Sequence, residues 1–112
     1  MEIYHNPRCQ KSREALAILE ESGREFTIRK YLEDPLTEQE LGDLISKLGI
    51  KPLELIRDNE KIFKEKYKGD KLTDEEWIRV MVENPRLIQR PIVVSGDRAV
   101  IGRPPENVRS LL

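Results

Sequence analysis

The feature that most constrains the fold is a hydrophobic periodicity that changes from strand-like to helical and back within about the first thirty residues. Glu2–His5 is a short β-prone run, Cys9–Glu21 carries an apolar stripe at helical spacing, and Phe26–Tyr31 alternates apolar and polar residues. Gly23 stands where a glycine commonly ends a helix. A β-α-β opening of this length predicts a parallel strand pair with a right-handed crossover.

The middle of the chain has helical patterns and lacks further strand signals. Thr37 and Thr73 each stand three residues before a glutamate, which is the capping-box pattern of a helix start. The pattern predicts one helix that ends at Gly49 and another that ends near Asn84, before a proline. Two shorter helices are predicted between them, at Pro52–Ile56 and Ile62–Tyr67.

The last part of the chain returns to β-type patterns. Pro91–Ser95 and Arg98–Gly102 are two short β-branched runs joined by Gly96 and Asp97, which predicts a hairpin, and Pro105–Leu111 closes the chain as a helix. This order predicts an α/β fold of the thioredoxin-like type. A helical insertion at about residues 33–88 separates the β-α-β unit from the C-terminal hairpin plus helix, within one domain of residues 1–112.

Composition excludes several classes of protein. Twenty basic residues nearly balance twenty-one acidic residues, so no basic footprint for nucleic acid is expected. No apolar run is long enough to span a membrane, and the N-terminus lacks the pattern of a signal peptide. A single cysteine excludes an internal disulfide, indicates a reducing cytoplasm, and leaves too few soft ligands for a closed metal site.

Cys9 is the candidate reactive group because it follows a strand and a turn and begins a helix. The first backbone N–H groups of a helix have no internal acceptors, and the helix dipole is positive there, so both stabilise a thiolate and bind anions. Ser12 lies on the same face of the first turn, and its hydroxyl is a candidate donor to the thiolate or to an anion. The alternative interpretation is a buried core cysteine, which is common.

Other residues near Cys9 have both structural and chemical interpretations. His5 is either a structural histidine or a group that acts on the thiol proton, while Asn6 is expected to shape the turn. Arg90 precedes Pro91 at the start of a strand, where a thioredoxin-like fold typically has a cis proline beside the active cysteine. Arg57, Arg90 and Arg103 lie far apart in the sequence, on loops or element ends, and each taken alone is interpreted as a solvated surface charge.

Four segments resemble the glutaredoxin-coupled arsenate reductases. They are the run IYHNPRCQKSR at Ile3–Arg13, then Tyr31–Pro35, Pro85–Val94 and Gly102–Pro104. The similarity extends over essentially the whole chain with little change of spacing, which is far more specific than a Cys-x-x-Ser motif.

The resemblance implies that the Cys9 thiolate attacks arsenate, with glutathione as co-substrate, glutaredoxin as partner and no bound cofactor. The family's three oxyanion-binding arginines correspond to Arg57, Arg90 and Arg103, and its modulating histidine and serine to His5 and Ser12. Such a scheme needs one protein cysteine, since the other thiols come from outside.

Two other functions stay open at this point. One is a glutathione-dependent thiol oxidoreductase acting on another substrate. The other is an RNA-polymerase-binding regulator, although its typical Cys-x-x-Cys switch cannot form because Ser12 occupies the second cysteine position. A domain without activity is the least specific alternative.

Overall fold

The computed structural model describes residues 1–112 and divides into two compact units. The terminal unit combines Met1–Asp34 with Arg90–Leu112, and the central unit is Pro35–Gln89. The central unit coincides closely with the helical segment predicted at about residues 33–88. That the chain is a single domain stays a prediction.

The terminal unit is built on a four-stranded mixed sheet in the order β2-β1-β3-β4. The strands are β1 (Glu2–Tyr4), β2 (Thr27–Arg29), β3 (Ile92–Ser95) and β4 (Arg98–Ile101). β1 pairs in parallel with β2 and antiparallel with β3, which confirms the predicted β-α-β unit and the hairpin. With helix α1 (Gln10–Ser22) as the crossover, this is the predicted mixed α/β, thioredoxin-like arrangement.

One face of this sheet carries the core of the terminal unit. Ile3 pairs in register with Val93, so both side chains point to the same face, and both are fully buried. Ala15 and Leu19 of α1 pack on this face, as does Val108 from the C-terminal 3-10 helix Pro105–Leu111. This packing fixes the direction of α1, and therefore the position of its N-terminus, relative to the strands.

The end of the second strand differs from the sequence-based expectation, whereas the hairpin turn agrees with it. The second strand ends at Arg29 rather than Tyr31, because the backbone N–H groups of Glu33 and Asp34 both donate to Lys30 O and turn the chain. The β3–β4 hairpin turns at Gly96, whose φ of 62° suits glycine.

The central unit contains α2 (Glu38–Leu48), α3 (Lys61–Lys66) and α4 (Asp74–Glu83), with 3-10 turns at Pro52–Leu55 and Pro85–Leu87. Both predicted capping boxes are present, at Thr37 and Thr73. The two 3-10 turns are joined by an antiparallel bridge between Ile56 and Ile88. The core residues of this unit include Leu41, Leu44, Leu55, Trp77, Met81 and Leu87.

None of the helices has both the length and the apolar character that crossing a bilayer would require.

Candidate active site

Cys9 lies in the terminal unit, between the end of β1 and the start of α1, as the sequence predicts. It is the N-cap residue of α1 and is half-buried. The turn before it is held by two hydrogen bonds: Cys9 N donates to Asn6 O at 3.0 Å, and Arg8 N donates to Asn6 Oδ1 at 3.0 Å. Asn6 therefore shapes the turn, as predicted from its residue type.

A buried polar cluster of His5, Asn6 and Ser12 holds this turn against the start of α1. Ser12 is fully buried, and its Oγ lies 2.6 Å from His5 Nδ1 and accepts a 3.0 Å hydrogen bond from Asn6 N. Of these two neighbours only the imidazole nitrogen can accept the hydroxyl hydrogen. The Ser12 hydroxyl therefore donates to His5 Nδ1, which places the imidazole proton on Nε2.

This arrangement changes the role expected for Ser12. Its hydroxyl hydrogen is directed to His5 rather than to the thiolate, because Nδ1 is the acceptor within reach. The Ser12 contribution at Cys9 comes instead from its backbone N–H. The side chain thus ties together the end of β1, the turn and α1.

The pKa of His5 supports the neutral imidazole. Burial lowers the pKa of His5 below its usual value, and the positive charges of Lys30 and Arg13 lower it further. The Nη1 of Arg13 donates to Pro7 O at 2.9 Å, which holds its charge beside the turn that precedes Cys9. The influence of Lys30 was missed, because nothing in the sequence indicates its proximity to His5.

Two arginines from the end of the chain reach the thiol. Arg103 Nε donates to Arg90 O at 2.8 Å, and Arg103 Nη2 lies 4.0 Å from Cys9 Sγ. The Arg90 side chain also interacts with the thiol. Pro91 is buried and follows a cis peptide bond, as expected for this position.

These groups together favour the ionised thiol. Burial alone raises the pKa of Cys9, but hydrogen bonding by the Ser12 backbone N–H, the Arg90 guanidinium and the Lys11 backbone N–H more than offsets it, so the net pKa is lowered. The Cys9 side chain makes no regular capping hydrogen bond to these N–H groups. They lower the pKa because the N–H dipoles attract the negative charge of the thiolate.

Arg57 lies in the central unit, just after the 3-10 turn Pro52–Leu55. Its backbone N–H donates to Leu87 O at 2.7 Å. Its guanidinium Nη1 is 3.3 Å from Glu60 Oε1, and the side chain is mostly buried. Arg57 is thus fixed by contacts within the central unit. Its role in binding substrate stays a prediction.

The site can perform nucleophilic chemistry on an anion. A thiol whose pKa is lowered lies at a helix N-terminus beside guanidinium groups, which bind tetrahedral oxyanions through charge-assisted hydrogen bonds. No cluster of three or more His, Cys, Asp or Glu side chains is positioned to hold a metal ion.

Comparison with known proteins relates the whole chain to one family. The model of the ArsC family matches residues 4–111. The chain is 46% identical to a protein of Escherichia coli (strain K12) described as "Uncharacterized protein YfgD", over 100% of this chain and 96% of that protein. It is 41% identical to an "Arsenate reductase" of Haemophilus influenzae, over 98% and 97% of the two chains.

A solved structure described as "Arsenate reductase from Vibrio cholerae" is 44% identical and superposes with a TM-score of 0.95, over 100% of this chain and 98% of that one. Sequence and fold therefore agree over the full length, and the chain belongs to the ArsC family.

Proposed function

We propose that this protein reduces arsenate to arsenite, with the Cys9 thiolate as nucleophile and with glutathione and glutaredoxin as electron donors. The observation that carries the proposal is the pair of guanidinium groups, Arg90 and Arg103, beside a thiol whose pKa is lowered, in a chain of the ArsC family.

The proposed reaction begins with substrate binding. Arsenate carries one to two negative charges near neutral pH, and the guanidinium groups of Arg90 and Arg103 suit its tetrahedral oxygens. We assign Arg57 as a third ligand on the family resemblance. The Cys9 thiolate attacks arsenic, forms an S–As bond, and one protonated oxygen leaves as water.

Reduction then uses two external thiols. Glutathione replaces a second oxygen, which also leaves as water, and forms a second S–As bond. A glutaredoxin thiolate attacks the glutathione sulfur and forms a mixed disulfide, while the pair of electrons of that S–As bond stays on arsenic and reduces it to As(III). Water cleaves the remaining bond, which releases arsenite and restores the Cys9 thiol.

His5 and Ser12 act as positioning residues in this proposal. Their hydrogen bond and the bond from Asn6 N hold the turn that presents Cys9. A neutral imidazole also avoids placing a buried charge near the exposed cations Lys30 and Arg13. We retain a cytoplasmic location as part of the proposal, since glutathione-dependent chemistry needs a reducing compartment.

A second candidate function follows from the same thiol. Activation of Cys9 by backbone N–H groups and Arg90 does not itself require arsenic. The chain is also similar to a protein without an assigned activity, at 46% identity. A glutathione-dependent oxidoreductase acting on mixed disulfides would use the same nucleophile.

One assay distinguishes the two functions. Arsenate-dependent NADPH oxidation is measured with glutathione, glutaredoxin and glutathione reductase, for wild type and Cys9→Ser. Arg90→Ala and Arg103→Ala are compared with Arg98→Ala, an exposed β4 arginine that bonds Ser110 O instead.

We expect activity in the wild type, none in Cys9→Ser, and a kcat/KM lowered roughly 30- to 1000-fold in each site arginine variant, which corresponds to about 2–4 kcal/mol of lost transition-state stabilisation. Arg57→Ala tests the third ligand in the same assay. No arsenate turnover, combined with rapid reduction of a glutathione mixed disulfide through Cys9, would refute arsenate reduction and favour the second function.

A further inference from the structure

Gly102 has a structural environment that the reaction scheme does not use. It is buried, directly follows β4 and immediately precedes Arg103. Its N–H donates to Pro91 O at 2.8 Å, which extends the β3–β4 pairing by one residue beyond Ile92 and Ile101. Gly102 and Pro91 therefore face each other directly across the hairpin.

The ring of Pro91 occupies the space that a side chain at position 102 would need. A Cβ on Gly102 would lie 2.8 Å from Pro91 Cγ, 3.4 Å from Val108 Cγ2 and 3.5 Å from Pro91 Cδ. Real Cβ atoms essentially never approach another heavy atom within 3.0 Å, and ordinary contact begins at 3.4 Å. To reach ordinary contact, the methyl carbon and Pro91 Cγ must move apart by about 0.6 Å, from 2.8 Å to 3.4 Å.

A change of ring pucker moves Pro91 Cγ, but Cδ is bonded to the backbone nitrogen and, with Val108 Cγ2, already lies at contact distance from the added methyl group. Displacement that the ring does not take up moves either the Arg90–Pro91 segment or the Gly102–Arg103 segment. The bond from Arg103 Nε to Arg90 O, 2.8 Å long, links the two segments. Any such movement is therefore transmitted to the groups that approach Cys9 Sγ.

We propose that Gly102 is a positioning residue for the active site: its missing side chain lets Pro91 pack against the end of β4 and so sets Arg90 and Arg103 at the Cys9 thiol. A side chain at position 102 leaves the overall fold intact but moves the guanidinium groups of Arg90 and Arg103 away from Cys9 Sγ. The inference rests on the proposed role of Cys9 as the reacting thiol.

The test measures thiol chemistry and needs no arsenate, so it is independent of the substrate assignment. The rate of reaction of Cys9 with the neutral disulfide 4,4′-dithiodipyridine is recorded against pH for wild type and Gly102→Ala. We expect the midpoint for Gly102→Ala to rise toward the usual thiol pKa by at least about half a unit. An unchanged midpoint in a folded variant would overturn the proposal.

Two matched controls separate positioning from general destabilisation. Val108→Ala loosens the same core, where Val108 is fully buried, without adding an atom against Pro91. It should lower the Tm and leave the pH midpoint unchanged. Gly42→Ala adds the same methyl within α2, where the nearest atom, Ile78 Cδ1, is 3.9 Å away, and should change neither thiol property nor fold.

A second variant covers the case in which Gly102→Ala does not fold. In a Pro91→Ala background the ring atoms that the methyl would meet are absent, so adding Gly102→Ala should alter neither the folding yield nor the pH midpoint of that background. If the added methyl still prevents folding there, or shifts the midpoint as much as it does beside proline, the contact with Pro91 is not responsible and the proposal fails.

Discussion

Replacing Arg90 with glutamine should raise the pKa of Cys9, so that the variant reacts more slowly than wild type at low pH and faster than wild type at high pH. The guanidinium of Arg90 lowers this pKa both by hydrogen bonding and by charge, and glutamine retains a donor without the charge. Arg103→Gln removes a second charge whose Nη2 is 4.0 Å from the sulfur.

The magnitude follows from Coulomb's law. Two unit charges about 4 Å apart interact by about 1 kcal/mol in water and about 4 kcal/mol at an effective dielectric of 20. Arg103 is exposed, so the lower figure applies, which corresponds to about 0.7 pKa unit. Arg90 is half-buried and hydrogen-bonded, so about 2 kcal/mol, or about 1.5 pKa units, is expected.

The reaction rates of Arg90→Gln and wild type should therefore cross as the pH rises. A pKa raised by about 1.5 reduces the thiolate about 30-fold at pH values below both pKa values, while the more basic thiolate is about fivefold more nucleophilic. The reaction of Arg90→Gln with 4,4′-dithiodipyridine should therefore be about sixfold slower at low pH and about fivefold faster at high pH. Arg103→Gln should show the same crossing with a smaller amplitude.

Arg98→Gln is the control, because Arg98 is an exposed arginine of the same hairpin whose Nη2 donates to Ser110 O. If Arg90→Gln leaves the midpoint where it is in the wild type, the helix N-terminus alone holds the thiolate. If Arg98→Gln shifts the midpoint as much as Arg90→Gln does, the effect is one of net charge. Either result would refute the local argument.

Three further predictions concern stability. Ser12→Ala leaves a buried Asn6 N–H and the His5 ring without their shared partner, so urea unfolding should show a loss of about 1–3 kcal/mol. Thr73→Ala removes the acceptor that caps α4 and should lower the free energy of unfolding by about 1 kcal/mol in the same measurement. Because folding lowers the pKa of Cys9, the thiolate adds stability that is fully present above the usual thiol pKa of about 8.5 and is lost as the pH falls through the lowered folded-state pKa. Titration of unfolding free energy should therefore show the difference between wild type and Cys9→Ser growing with pH across that window, and a constant difference would contradict the lowered pKa.

Local sequence signals predicted the elements well wherever the deciding interactions are themselves local. The capping boxes at Thr37 and Thr73 depend on residues three positions apart, so their pattern could be read directly. The end of β2 was misplaced although its turn is also local, because the N–H groups of Glu33 and Asp34 that converge on Lys30 O are backbone groups, which any residue type supplies.

The residues of the candidate site also differ in how far local sequence signals could predict them. Cys9 at the start of α1 was predictable from the preceding turn and the helical stripe. Arg103 lies 94 residues from Cys9, so only the family resemblance indicated its role. Gly102 was missed, because its significance lies in a distance to the Pro91 ring that no sequence pattern encodes.

Activation of the thiol is consequently a property of the strand register in the terminal unit. β1 pairs with β3 so that Tyr4 faces Ile92, and Arg90 and Pro91 immediately precede that pair while the Cys9 turn follows it. A slip of one residue would move Arg90 by about 3.4 Å and turn its side chain to the other face of the sheet. The burial of Ile3 and Val93 opposes this slip, since it would turn the Val93 side chain away from the core face that it shares with Ile3. The same apolar contact that holds the sheet together therefore also fixes the charge that lowers the pKa of Cys9.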